Sequence, residues 1–133
     1  MVPLLDTHAW IWWVDGNRRL DSRLAARLDA LDGSNRPCLS AISLWEAATL
    51  ASLSRLEVQP SFETWLTKAA DPKTVRILPI TVEIALELSR LPDSLRRDPA
   101  DRVIVATARV HQLPLLTADR AIIDSKLTRP YKP

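Results

Sequence analysis

The chain has 133 residues, of which 47% are hydrophobic and 26% charged, with a formal net charge of +2. That balance describes one globular domain able to bury a core, and its mild basicity permits a nucleic-acid partner without demanding one. Two glycines (Gly16, Gly33) exclude a Gly-rich phosphate loop, a single cysteine (Cys38) excludes an internal disulfide and a cysteine zinc site, and two histidines (His8, His111) are too few for a His-rich metal site.

In chain order, residues 2–5 form an apolar run ending at Asp6, as expected of a strand buried on both faces. Residues 8–14 predict a short helix rich in tryptophan (Trp10, Trp12, Trp13), broken by Asp15-Gly16-Asn17. Leu20, Leu24, Leu28 and Leu31 recur at helical spacing and predict an amphipathic helix over 21–31, stopped by Asp32-Gly33. Residues 37–39 read as a second strand, and Ser40 as the cap of a helix over 41–53 that carries Trp45 and Glu46. Ser61 opens another helix with Phe62, Trp65, Leu66 and Ala69 on one face. Residues 75–78 are a third strand, and Thr81 caps a helix with Ile84, Ala85, Leu88 and Leu91 on its face. A loop over 91–97 holds the adjacent Arg96 and Arg97. Asp98 is then a good N-cap and Pro99 a good first helical residue, for a helix running to about His111. Leu115-Leu116 is a fourth strand, followed by Thr117-Ala118-Asp119, and residues 128–131 offer a weak edge strand because of their proline.

Short apolar strands alternating with helices mean an α/β protein with a parallel sheet and helices on both faces. Such sheets bind ligands beyond the carboxyl ends of their strands. Asp6 follows the first strand and Asp119 the fourth. Glu46 lies in the helix leaving the second, and Asp101 in the first turn of the helix before the fourth. Four carboxylates from distant sequence therefore converge on one edge. Acids gathered in this way repel unless a cation is present, and an all-oxygen set suits a hard ion, Mg²⁺ or Mn²⁺. Such an ion with water on it is equipment for phosphoryl chemistry.

The residues alone leave a plainer alternative open. Asp6 and Asp98 read equally as N-caps, Asp101 as the acid of a capping box, Asp119 as a turn residue with Thr117, and Glu46 as a solvated helix residue. His8 reads as a hydrogen-bonding structural residue rather than a base, and the tryptophans as core or interface rather than base-stacking platforms. Thr117 is either a turn hydroxyl or a group orienting a carboxylate. Arg96, Arg97, Arg102 and Arg120 flank the acids and either balance their charge or meet an RNA backbone. A receiver-like phospho-acceptor fits poorly, because the stretch ending in Asp119-Arg120 has no lysine. A haloacid-type phosphatase fits poorly too, because Asp6-Thr7-His8 lacks the second aspartate.

Four segments carry a resemblance: Leu4-Leu5-Asp6-Thr7-His8-Ala9-Trp10, Ser40-Ala41-Ile42-Ser43-Leu44-Trp45-Glu46, Asp98-Pro99-Ala100-Asp101-Arg102 with the apolar helix after it, and Leu115-Leu116-Thr117-Ala118-Asp119. In order and spacing they resemble the four acidic motifs of the PIN domain, and in detail those of VapC-type toxins of bacterial type II toxin–antitoxin systems. The resemblance implies a single PIN domain over 1–133 with a three-layer α/β/α fold and a short-stranded parallel central sheet. It also implies an Mg²⁺- (or Mn²⁺-) dependent cytoplasmic endoribonuclease, homodimeric and held inactive by a VapB-type antitoxin. By motif, Asp6, Glu46, Asp101 and Asp119 match the acidic quartet that binds metal and carries catalysis, with Asp98 an extra acid beside it. Thr7, Ser40, Thr117, Arg97, Arg102 and Arg120 stand where side chains would orient those acids or position RNA. Residues 47–56 depart from the family pattern in lacking the glycine often found before Arg55-Leu56, which bears on the turn there. A non-catalytic PIN-shaped binding or regulatory module is the competing reading.

Overall fold

A computed structural model of the protein describes residues 1–95 and 98–132. In chain order the elements are β1 (Leu4–Leu5), α1 (Thr7–Asp15), α2 (Ser22–Asp29), β2 (Cys38–Ser40), α3 (Ala41–Ser52), α4 (Phe62–Ala69), β3 (Arg76–Leu78), α5 (Val82–Arg90), α6 (Pro99–His111), β4 (Leu115–Leu116) and α7 (Arg120–Ser125). The strands lie in the order β3-β2-β1-β4, and every pairing is parallel. This is the expected layered α/β/α arrangement.

The strands are only two or three residues long, yet they define two cores, because successive side chains leave a strand on opposite faces. Leu4 pairs with Cys38 and Leu115, and Leu5 with Leu39 and Leu116. The first set joins Leu78, Ile84, Ile104 and Val105 in the core beneath α5 and α6. The second joins Trp10, Leu28, Trp65 and Val75 in the core beneath α1, α2 and α4. Both β1 leucines are fully buried, so truncating either to Ala would cost about 2–5 kcal/mol.

The helix starts follow local chemistry. Ser40, Ser61, Thr81 and Asp98 all cap as the sequence predicts, with side-chain oxygens accepting from backbone N–H groups one turn in. Asp21 caps α2 from outside rather than beginning it. The most consequential difference is α7. Its six residues are too few to show a period, so the sequence reading ends at Asp119, whereas Asp119 caps this further turn. The tail makes no full strand: Pro130 forms one isolated parallel bridge to Leu115, with Leu115 donating to the Arg129 carbonyl and Tyr131 to that of Leu115. The turn after α3 explains the missing glycine. Ser54 sits at φ 57°, a left-handed conformation that costs any side chain with a Cβ.

Candidate active site at the carboxyl end of the sheet

β1, β2 and β4 run parallel, so the residues that leave their carboxyl ends emerge on one side of the sheet. There the chain shapes a cavity of about 280 Å³ lined by Asp6, Glu46, Asp98, Asp101 and Asp119, with His8, Trp12 and Ala118 completing its wall. All four acids of the expected quartet, and Asp98, thus share one space. Among the described residues no three are drawn into a closed coordination group; they surround the cavity, as mutual repulsion favours.

Asp6 is the most deeply set, at 6% exposure. One carboxylate oxygen accepts from the Thr7 backbone N–H at 2.8 Å, so Asp6 does cap α1. The other accepts the Thr117 hydroxyl at 2.6 Å. Thr117 in turn accepts the Asp119 backbone N–H at 3.0 Å, so one hydroxyl ties β1's exit to β4's. Burial raises the Asp6 pKa; the Thr117 bond, the Thr7 N–H and His8 oppose that rise, and Asp119 adds to it.

Glu46 projects from the second turn of α3. Its Oε1 is buried with no hydrogen-bond partner among the described residues. Burial raises its pKa, with the Thr7 hydroxyl pulling the other way and Asp98 and Asp6 adding to the rise. Thr7 is fully buried, and its hydroxyl also meets that of Ser43 at 2.8 Å. Ser43 is a participant that the sequence reading missed. Its signal was available: it stands three residues before Glu46, on the same helical face.

Asp101 lies in the first turn of α6. Burial pushes its pKa up to about 8, aided by Asp6, Asp98, Asp119 and Glu46 in that order. Asp98 and Asp119 each spend an oxygen on backbone N–H groups: Asp98 on Ala100 at 2.9 Å, Asp119 on Ala121 at 2.8 Å and Ile122 at 3.3 Å. Capping therefore coexists with membership of the cluster for Asp6, Asp98 and Asp119. It does not account for Glu46, in the second turn of α3, or for Asp101, in the first turn of α6, neither of which is the N-cap of its helix.

The flanking residues divide. Ser40 is fully buried and caps α3 through Ile42, away from the cavity wall. Arg102 turns its guanidinium to the Leu88 and Pro92 carbonyls at 3.1 and 3.4 Å, so it ties α6 to the end of α5. Arg120 is exposed beside Asp119. Arg96 and Arg97 lie outside the described residues.

An oxygen-only set with one unpartnered buried carboxylate oxygen and one carboxyl driven toward protonation by burial and by its acidic neighbours fits a hard divalent cation. It has no thiol or imidazole cluster to attract a softer ion.

The PIN domain family model matches residues 4–125. The chain is 35% identical over 127 residues to Ribonuclease VapC22 of Mycobacterium tuberculosis, covering 96% of this chain and 94% of that protein. Among solved structures it is similar in fold to VapBC2 from Rickettsia felis bound to a DNA fragment from the promoter (TM-score 0.73, 17% identity, 98% of each chain). It is similar also to DNA-bound VapBC from Salmonella typhimurium (TM-score 0.70, 20% identity, 98% of each chain).

Proposed function

The chain belongs to the PIN-domain family, and from that premise we propose that it is a VapC-type toxin: a metal-dependent endoribonuclease that hydrolyses RNA phosphodiester bonds and is held in check by a VapB-type antitoxin. The observation that carries this reading is the shared cavity of Asp6, Glu46, Asp98, Asp101 and Asp119. Five acids around one space is a costly arrangement unless a cation is bound among them. A protein that only needed caps would leave Glu46 and Asp101 elsewhere.

In this reading Asp6, Asp101 and Asp119 hold the cation, which is Mg²⁺ or Mn²⁺, and Glu46 completes the set. A bound ion of that kind supplies a water of lowered pKa and neutralises charge gathering on the phosphoryl oxygens. Glu46, with its free Oε1, orients the attacking water. Thr117 fixes the Asp6 carboxylate, and the Thr7–Ser43 hydroxyl pair braces the base of Glu46. Asp98 serves chiefly as the cap of α6. Arg97 and Arg120 are assigned to the RNA backbone, and Arg102 to holding α6 in place.

Among the described residues no helix is long and apolar enough to cross a membrane, and Cys38 is a buried free thiol. A reduced thiol suits the cytoplasmic site of action proposed here. Trp45 and Leu53 of α3 and its following turn stand more than half exposed. Such apolar surface suits a homodimer and an antitoxin groove.

The test is cleavage of a fluorescent single-stranded RNA by the chain freed of antitoxin. Cleavage should require Mg²⁺ or Mn²⁺, stop with EDTA, and be abolished by Asp101→Asn. Cleavage by the Asp101→Asn variant at the parent's rate would overturn the assignment of the site.

A further inference from the structure

The acidic cavity presents a problem for its own substrate. RNA is a polyanion, and among the described residues no lysine or arginine lines the wall. Arg102, the nearest arginine along the chain to Asp101, is committed to backbone carbonyls. What the wall does offer besides acids is a pair of rings. His8 and Trp12 stand one helical turn apart on α1, with ring centroids 6.1 Å apart and planes tilted by 52°. His8 is exposed and Trp12 half-buried, and Trp12 packs against the core beneath α1 while also lining the cavity.

Trp12 differs from its neighbours in one further respect. Trp10, Trp13 and Trp65 each spend the indole N–H on a protein acceptor: the Ala69 carbonyl, Asp29 and Asp15. Trp12 has no such partner among the described residues. Its ring is half-buried, packs on the core, lines the cavity, and keeps its indole N–H unspent. Stacking a base on an aromatic face does not depend on charge, so it works where phosphate contacts are disfavoured.

We propose that the His8–Trp12 pair is a stacking subsite for a nucleobase of the RNA next to the scissile phosphate. Trp12 supplies the face, and its indole N–H donates to a base or ribose oxygen; His8 closes the outer side. This rests on the ribonuclease reading above and adds a binding element to it. It reverses, for Trp12 alone, the expectation that the tryptophans serve only core and interface.

The probe is a 5′-fluorescein single-stranded RNA of mixed sequence, about 12 nucleotides long to fill a typical single-strand site. Binding is followed by anisotropy on the Asp101→Asn chain, so that the RNA stays intact. A second RNA has the same phosphates with abasic residues throughout. Adding Trp12→Leu should weaken binding of the base-bearing RNA on the order of 5- to 100-fold, while Trp12→Phe, which keeps a ring but loses the indole N–H, should fall between the two. The abasic RNA should bind weakly to all three and equally, which a merely structural loss would not produce. Thermal melts check folding, and if Trp12→Leu does not fold, the two RNAs still decide on the Asp101→Asn chain alone. Equal binding of the base-bearing and abasic RNAs overturns the subsite. So does a loss in Trp12→Leu that is the same for both RNAs, or a Trp12→Leu chain that releases an antitoxin while binding RNA unchanged. With Asp101 restored, a parent that does not cleave the base-bearing RNA in Mg²⁺ or Mn²⁺ overturns the ribonuclease reading and the subsite with it. A parent that cleaves, beside a Trp12→Leu chain of unchanged KM, overturns the subsite alone.

Discussion

Replacing Asp101 by Asn should make the metal-free protein more stable, and the gain should depend on pH. Asp101 has its pKa pushed from 3.8 to about 8, by burial first and by the four neighbouring acids after it. The folded chain thus binds this proton more tightly than the unfolded chain does. Stability is full below the unfolded pKa, falls as pH rises from about 4, and is lost by about 8. At about 1.4 kcal/mol for each tenfold change in proton affinity, the whole rise would be worth ~6 kcal/mol for a fully buried, isolated group. Asp101 is only partly buried and shares its strain with four other acids, so solvent screening reduces this to about 1–2 kcal/mol. Against it stands the loss of a carboxylate at the N-terminus of α6, about 0.3–1 kcal/mol. Relief of repulsion outweighs that loss. In EDTA, at about pH 9, Asp101→Asn should therefore melt a few degrees above the parent, about 3–6 °C per kcal/mol for a chain of this size. At about pH 5 the two should nearly coincide, since the parent carboxyl is then largely protonated. A variant that melts below the parent at high pH, or a parent whose stability is flat over this range, would show that the carboxylates do not strain one another.

Three further outcomes follow from individual residues. Asp98→Ala removes the cap bond to Ala100; it should cost about 0.5–2 kcal/mol in a urea melt and leave measurable cleavage. Thr117→Val breaks the 2.6 Å bond that orients Asp6; calorimetry with Mn²⁺ should show affinity lower by about 10- to 100-fold, recovered by Thr117→Ser. Ser54→Gly relieves a side chain held at φ 57°; it should stabilise the protein by about 1 kcal/mol, and a destabilised variant would mean that the serine makes contacts worth more than the backbone strain.

The layout of the site was largely readable before the fold. The apolar runs at Leu4-Leu5 and Leu115-Leu116 mark buried parallel strands, and acids immediately after such strands must emerge on one side of the sheet. The caps were legible because capping is local: Ser61 and Thr81 need only the next three residues to act. What the sequence concealed depends on tertiary contact. The sequence offered Thr117 as a group orienting a carboxylate but could not say that the carboxylate is that of Asp6, 111 positions earlier, nor that Thr7 meets Ser43. Arg102 sits beside Asp101 in sequence, yet its side chain runs back along α6 to α5. Periodicity also cannot separate one tryptophan from another within the same helix: Trp10 is fully buried, whereas Trp12 faces the cavity. Helix α7 escaped because six residues make less than two turns.

The placement of β1 between β2 and β4 sets an order of events during synthesis. Asp6 is synthesised more than a hundred residues before the strand that flanks β1 on one side and the threonine that aims its carboxylate. Until Leu115–Leu116 emerges, β1 has an unpaired edge and Asp6 lacks its hydroxyl donor. Long-range parallel pairings of this kind form late, because loop closure must precede them. A chain that has reached only residue 110 therefore carries Asp6, Glu46 and Asp101 but lacks both the strand and the hydroxyl that set Asp6 in place. The acidic cavity is therefore the last part of the fold to be completed, when β4 pairs with β1 and Thr117 reaches Asp6.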